Sequence, residues 1–350
     1  MSIIYENNDL LKVESRSVIP DYVMSFSEAA LYVAESINVD YNSLMESIGV
    51  EELAVFESTG MEIVYEGERL DSFKEKVVKF FKDAWATIKG FFEKILGWFE
   101  AKRKENVKQM KSKIDKADLS KIPDGTVFGK MHNFSEAAIT KEATKFCVNT
   151  NKFLRKVNEE FGKACNGVDE SNEESKVKAK DEGSKLKEEF VENVVKEISG
   201  YDVKSIAEAK KKIEESLIGE EVEINKENIE SKLTILNMVV MSGKVNDSIK
   251  VQYKNMKKAI DDAITRTKGY TDARVICAGK EIDVYSKVMQ SSLGLIGKTM
   301  DVYKRYFTES RNILGKVAVK AGKIKATNES VEQQSVVESQ INLVESILNF

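Results

Sequence analysis

Along most of the chain, apolar residues return every three or four positions, the repeat of a helix that buries one face. Short helices are predicted from Ser27 to about Asn38 and from about Tyr41 to Glu57, and one long amphipathic helix from Asp71 to about Lys116. After a turn-rich stretch at 121–133, a helix opening at Ser135 carries Phe146, Phe153, Val157 and Phe161 on one face. The next, near 173–199, presents Leu186, Phe190, Val194 and Ile198, and a shorter one follows at about 203–218. A long helix over 226–267 uses Ile229, Leu233, Leu236, Val240, Ile249, Met256, Ile260 and Ile264. The last long one, 271–321, uses Val275, Ile282, Tyr285, Met289, Ile296, Met300, Tyr303 and Phe307, and a short helix is expected at 330–349. MEIVYEG at 61–67 suits a short strand with no partner in view, and nothing alternates long enough to make a sheet. The expected fold is therefore all-α: an elongated helical bundle with one long aromatic, basic helix and a weakly ordered acidic N-terminal region.

That helix is the strongest local signal. Phe73, Val77, Phe80, Phe81, Ala84, Ile88, Phe91, Phe92, Ile95 and Phe99 form one continuous apolar stripe, and both tryptophans of the chain, Trp85 and Trp98, lie beside it. The opposite face carries Lys74, Lys76, Lys79, Lys82, Lys89 and Lys94. Such a helix suits docking on a bundle or a partner, and it also suits the surface of a membrane. Charges recur too often for it to span one. The longest uncharged stretch in the chain, Leu233 to Gly243, is far short of the ~20 residues a spanning helix requires. The start MSIIYENNDLLK has no basic n-region and no continuous apolar core, so no secretory signal is expected.

Composition narrows the chemistry. Of 350 residues, 42% are hydrophobic and 32% charged, enough apolar content for one large or two ordinary cores. With 2 Pro and 19 Gly, turn-dense sandwiches and barrels are disfavoured. One His and 3 scattered Cys argue against histidine chemistry, zinc fingers and a disulfide framework, and Cys147, Cys165 and Cys277 read as small buried hydrophobes of a protein made in a reducing cytoplasm. His132, after a turn, reads as a surface or capping residue. SLGLIGKT at 292–299 is close to a phosphate-binding loop, but Ser292 stands where the first Gly belongs and no strand precedes it, so Gly294 and Gly297 are expected to allow close helix packing. Asp261 and Asp262 are adjacent on a helix and face different ways. No catalytic residue, cofactor site, metal site or small-molecule substrate is expected.

The net charge of −4 hides a partition. Residues 1–72 carry three bases against fifteen acids, and 326–350 carry four Glu and no base, so the body at 73–325 holds +12. FSEAAL at 26–31 and FSEAAI at 134–139 are near-copies, with Ser27 and Ser135 expected as N-caps of two helices. The expected organisation is an acidic N-terminal region at 1–72, the aromatic helix at 73–120, a linker at 121–133, a helical bundle at 134–325 and an acidic tail at 326–350.

A second recurrence is less easily explained by helix rules. Glu-Ser occurs twelve times, where 41 Glu and 30 Ser in 350 residues would give three to four by chance. In eight of the twelve, the residue two before the Glu is apolar, and five of these lie near the ends: Glu35-Ser36, Glu46-Ser47 and Glu57-Ser58, then Glu338-Ser339 and Glu345-Ser346. An apolar-x-Glu sequence before a small residue resembles the sites cut by the prohead maturation proteases of large tailed bacteriophages, and the acidic ends are similar to the propeptides of their internal head proteins. The resemblance implies a non-enzymatic virion protein, made in the host cytoplasm. Its partners would be phage scaffold and capsid proteins, the maturation protease and, non-specifically, DNA, with a transient membrane contact during ejection. Cutting after Glu57 and Glu338 would leave 58–338 at +6. Two other readings stay open. One is a membrane-active, pore-forming effector working through 73–104, with Phe73, Phe80, Phe81, Trp85, Ile88, Phe91, Phe92, Ile95, Trp98 and Phe99 as its membrane or partner face. The other is a cytoplasmic helical adaptor that keeps its ends.

Overall fold

A computed structural model describes residues 25–48, 67–104, 119–166, 171–241 and 244–326, with 112, 114, 115, 168 and 169 between them. Among these residues the fold is all-α, eight helices with one two-stranded sheet. In chain order the elements are α1 (Phe26–Ile48), α2 (Gly67–Lys104), β1 (Val127–Phe134), α3 (Glu136–Asn166), α4 (Glu173–Ser199), α5 (Ile206–Leu217), β2 (Ile218–Asn225), α6 (Lys226–Met241), α7 (Lys244–Lys268) and α8 (Asp272–Ala326). The expected strand at 61–67 lies outside the described residues except for Gly67, which opens α2, and the helix at 330–349 and most of the two acidic ends lie outside them as well.

The helices fall into two compact units that interleave along the chain. The first takes α1, α2 up to Gly97, α3 from Ala137, α4, α5 to Ser216, α7 and α8 to Asp301. The second takes the sheet, α6, the end of α2 from Trp98 and α8 from Val302. The long helices α2 and α8 contribute to both, which is why no linker separates the units in sequence.

In the first unit α8 is buried on nearly every side, including Ile282, Val284, Tyr285, Val288, Met289, Leu293, Leu295 and Ile296. Small polar side chains fit among them: Ser286, Ser291, Ser292 and Thr299 are buried, and the Thr299 hydroxyl donates to the Leu295 carbonyl at 2.9 Å. Glycines let neighbours close in. A Cβ at Gly297 would lie 2.7 Å from the Phe26 carbonyl oxygen and 2.9 Å from the Ala30 Cβ, and one at Gly294 would meet Ile206 at 3.3 Å. The segment 292–299 is thus mid-helix packing surface, as expected. Around it, Phe146, Phe153, Val157 and Phe161 of α3 and Phe190, Val194 and Ile198 of α4 are buried.

α1 runs without the break expected after Asn38, and its cap is not Ser27. Ser25 and Glu28 form a capping box: the Glu28 N–H donates to Ser25 Oγ at 3.0 Å, and the Ser25 N–H donates to Glu28 Oε2 at 2.8 Å. The next two amides, Phe26 and Ser27, donate to the Asp301 carboxylate at 2.7 and 2.9 Å. A carboxylate 274 residues away therefore starts the helix at Phe26. In the second copy of the hexapeptide, Phe134 pairs with Ile218 in the sheet, so α3 begins only at Glu136.

The second unit overturns the expectation of no sheet. β1 and β2 are antiparallel, from Val127 opposite Asn225 to Phe134 opposite Ile218, and β1 occupies most of the stretch read as a linker. Phe128, Met131 and Ile224 are buried. Gly129 takes φ 138° at a register shift, so Phe128 and Met131 share the core although three residues apart. A second shift near His132 and Phe134 brings Gly219 against Asn133, where a Cβ would stand 2.8 Å from the Asn133 carbonyl oxygen. Near the start of the sheet, Lys226 pairs with Asp124 at 2.6 Å.

Candidate functional site

The aromatic stripe of α2 faces the protein's own interior. Within the first unit Phe73, Val77, Phe80, Phe81, Ile88, Phe91, Phe92 and Ile95 are all buried, and Phe81 packs edge-on against Tyr285 at 5.7 Å. At roughly 1.5–3 kcal/mol per fully buried side chain, opening this face to water would cost more than about 10 kcal/mol of gross burial, so it is closed to a partner or a membrane while the unit is folded. In the second unit Phe99 is buried and Trp98 packs edge-on against Phe307 at 5.4 Å. Of the ten residues proposed as a membrane or partner face, Trp85 and Trp98 alone are half-buried and the rest are core. Among the described residues no helix is long and apolar enough to cross a membrane.

The candidate cleavage sites divide sharply. Glu35, Ser36, Glu46 and Ser47 all lie inside α1, whose inner face buries Phe26, Ala29, Ala30, Val33, Ile37 and Leu44. Beyond the Asp301 cap, α1 is held at its other end, where Lys76 Nζ donates to the Ser47 carbonyl at 2.5 Å. Midway, Tyr41 packs near Phe80, and burial, with Asp283 beside it, pushes its hydroxyl well above the ordinary tyrosine range. A protease draws its substrate out as an extended strand, so the Glu35 and Glu46 bonds are closed while α1 is folded. Six of the twelve Glu-Ser pairs lie within helices among the described residues, including Glu215-Ser216 and Glu309-Ser310. Glu57, Ser58, Glu338, Ser339, Glu345 and Ser346 lie outside the described residues.

The single histidine sits in the second unit, half-buried. The His132 N–H donates to Glu309 Oε2 at 2.8 Å, His132 Nδ1 lies 3.1 Å from Glu309 Oε1, and Arg305 Nε donates to the same oxygen at 3.0 Å. Glu309, 177 residues away, thus ties β1 to α8 and is committed to three donors. Sequence placed no acid beside His132 because the pairing exists only in the fold.

The cysteines correct the sequence reading in part. All three are buried, but Cys165 and Cys277 are joined in a disulfide, their Cα atoms 6.5 Å apart across α3 and α8. A spacing of 112 residues carries no sign of this. Cys147 is the free thiol, and burial pushes its pKa up. It lines, with Thr150, Gln252 and Ser292, a cavity of about 10 Å³, room for a single water and not for a metabolite. Gln252 Oε1 is buried there without a protein partner.

The most charged interior group is a buried triad in the first unit. The Glu281 carboxylate is fully buried between Arg266 and Arg274, with Arg274 Nη2 at 3.1 Å. Arg274 Nη1 also donates to the Phe161 carbonyl at 2.6 Å. The two guanidinium groups share the one carboxylate. Among the described residues no three His, Cys, Asp or Glu are grouped to hold a metal ion. No family model matches the chain, and no curated protein and no solved structure is similar to it.

Proposed function

We propose that the chain is a non-enzymatic virion protein of a large tailed phage, an internal head protein trimmed after apolar-x-Glu sites and associated with packaged DNA. One observation carries the reading: apolar-x-Glu-Ser recurs at two acidic ends that flank a body of +12. The helical state of α1 bears on the choice of site, because the Glu35 and Glu46 bonds are withheld from a protease while that helix is folded. Glu57 is therefore the preferred N-terminal site, with Glu338 or Glu345 at the other end. Removing 1–57 and 339–350 turns an acidic chain into one of +6, the sign needed for a polyanionic neighbour. Scaffold and protease would be its partners before the cut and DNA after it.

The test is intact mass and N-terminal sequence of the protein taken from its natural source. A new terminus at Ser58 is the expected result. A chain still beginning at Met1 and ending at Phe350 in mature particles would overturn the reading.

A further inference from the structure

Three helices of the first unit are net positive: α3, at +3 from Ala137 onward, and the pair α2 and α7. Residues 73–97 of α2 carry a net +3 and α7 a net +4, while α4 carries −2. These two helices meet through an aromatic pair, Trp85 on α2 and Tyr253 on α7, with ring centroids 5.2 Å apart and both side chains half-buried. Helix geometry places Lys82 and Lys89 on the face of Trp85, three residues before it and four after. It places Lys250 and Lys257 around Tyr253 at the same spacings. All four lysines are exposed, as are Lys254 and Lys258 of α7, one and five residues after Tyr253. Lys89 and Lys257 pair with Glu93 and Asp261 at 3.6 and 2.6 Å, whereas Lys82, Lys250, Lys254 and Lys258 have no ion pair among the described residues. The seam is thus an aromatic ridge with ammonium groups on both sides, repeated over about 10 Å of helix.

We propose that this α2–α7 seam is a binding surface for the phosphate backbone of DNA. The choice of partner follows from what the seam exposes. Anionic lipid would call for an apolar face to insert, and the apolar face of α2 is buried, leaving only parts of Trp85 and Tyr253. Lysines at one-turn intervals on α7 and two turns apart on α2 match a polymer of regularly spaced negative charge, and such contacts require no sequence. The half-buried rings add a surface on which an unpaired base can stack. The proposal rests on the reading of the body as DNA-associated, and it gives that reading a location.

The test uses the full-length chain and a 30-base-pair duplex, with a single strand of equal length beside it, titrated at several salt concentrations. In Lys82→Gln/Lys250→Gln/Lys254→Gln, affinity at low salt should fall at least tenfold. The slope of log affinity against log salt should shrink by about three, roughly one for each lost phosphate contact. Lys178→Gln/Lys185→Gln/Lys204→Gln removes the same charge from exposed positions outside the seam and should change affinity less than threefold. Equal losses in the two triples would overturn the seam, since net charge alone would then explain binding. So would binding to phosphatidylserine vesicles through the seam lysines with no binding to either DNA. Absence of DNA binding by both the full-length chain and the trimmed protein from its natural source would overturn it too, while trimming itself is decided separately by the mass of the natural protein.

Discussion

The first unit contains two populations of charged side chains that differ in what they are free to do. Those along α8 are turned inward: Glu281 lies between two guanidinium groups, Asp283 pairs with Lys187 at 2.7 Å, and Asp301 holds the first amides of α1. Those on α2 and α7 stand in water, several without any ionic partner among the described residues. In a desolvated position a charge survives only if its partner is fixed, so the α8 groups define which helices meet and in what register. A solvated lysine contributes almost nothing to stability and keeps its full charge for a ligand. One population builds the fold, and the other is available to act.

Breaking the inward population should have the largest effect. Glu281→Gln keeps the shape but leaves Arg266 and Arg274 facing each other in the interior without their carboxylate. The expected loss is about 3–5 kcal/mol, read as a lower urea midpoint with little change in slope. A loss below about 1 kcal/mol would mean that solvent reaches the triad and that it is not an organising contact.

Alkali tests the same interior from another side. Burial pushes the Tyr285 and Tyr306 hydroxyls up to about 12, and Tyr201, beside Glu142, also up to about 12, against 10.0 for a free tyrosine. A raised folded pKa means the native state holds its proton longer than the unfolded chain. The stability this contributes is fully present below pH 10 and is lost as pH rises from 10 toward 12. Unfolding monitored by circular dichroism should therefore set in between these values, together with a rise in tyrosinate absorbance near 295 nm. Ionisation of all 11 tyrosines near pH 10 with the helices intact would contradict the burial.

How far these two populations can be read in sequence explains where inference succeeded. The stripes of α2, α3, α4 and α8 are local, and each of those helices was visible from spacing alone. The sheet was not, because the Gly129 bulge places Phe128 and Met131 three apart and erases the alternation by two that marks a strand. The cap of α1 was misplaced by two residues because Asp301 takes the amides of Phe26 and Ser27. The Cys165–Cys277 bond and the Glu309 contact with His132 depend likewise on long-range contacts. For the candidate sites, the Glu-Ser recurrence and the α2 stripe were legible, but not that α1 would close two of the bonds. Tyr253 carries no signal in sequence, since a lone tyrosine among lysines looks like a solvated face until Trp85 is set against it.

The Asp301 cap links the inward population to the proposed trimming. Asp301→Ala removes acceptors from two amides at the start of α1 and should cost about 1–2 kcal/mol. Local opening of α1 should rise more than global unfolding, so a glutamate-specific protease should cut after Glu35 and Glu46 several-fold faster than in the wild type. Gly297→Ala, whose Cβ would press on the Phe26 carbonyl and the Ala30 side chain, should act in the same direction. Unchanged cutting in both variants would show that α1 is not held by its contact with α8.

The smallest stability effect belongs to the outward population, and its smallness is what makes it informative. Lys82→Gln/Lys250→Gln removes two exposed charges with no ion pair among the described residues, and should shift the urea midpoint by no more than about 0.5 kcal/mol equivalent. Relieving repulsion among neighbouring lysines could even make the shift slightly favourable. If the same pair of changes weakens DNA binding while the fold stays as stable as before, the lysines act on a partner and not on the helices that carry them. A loss above about 1 kcal/mol would place them among the groups that hold α2 to α7, and the division between the two populations would then fail at this seam.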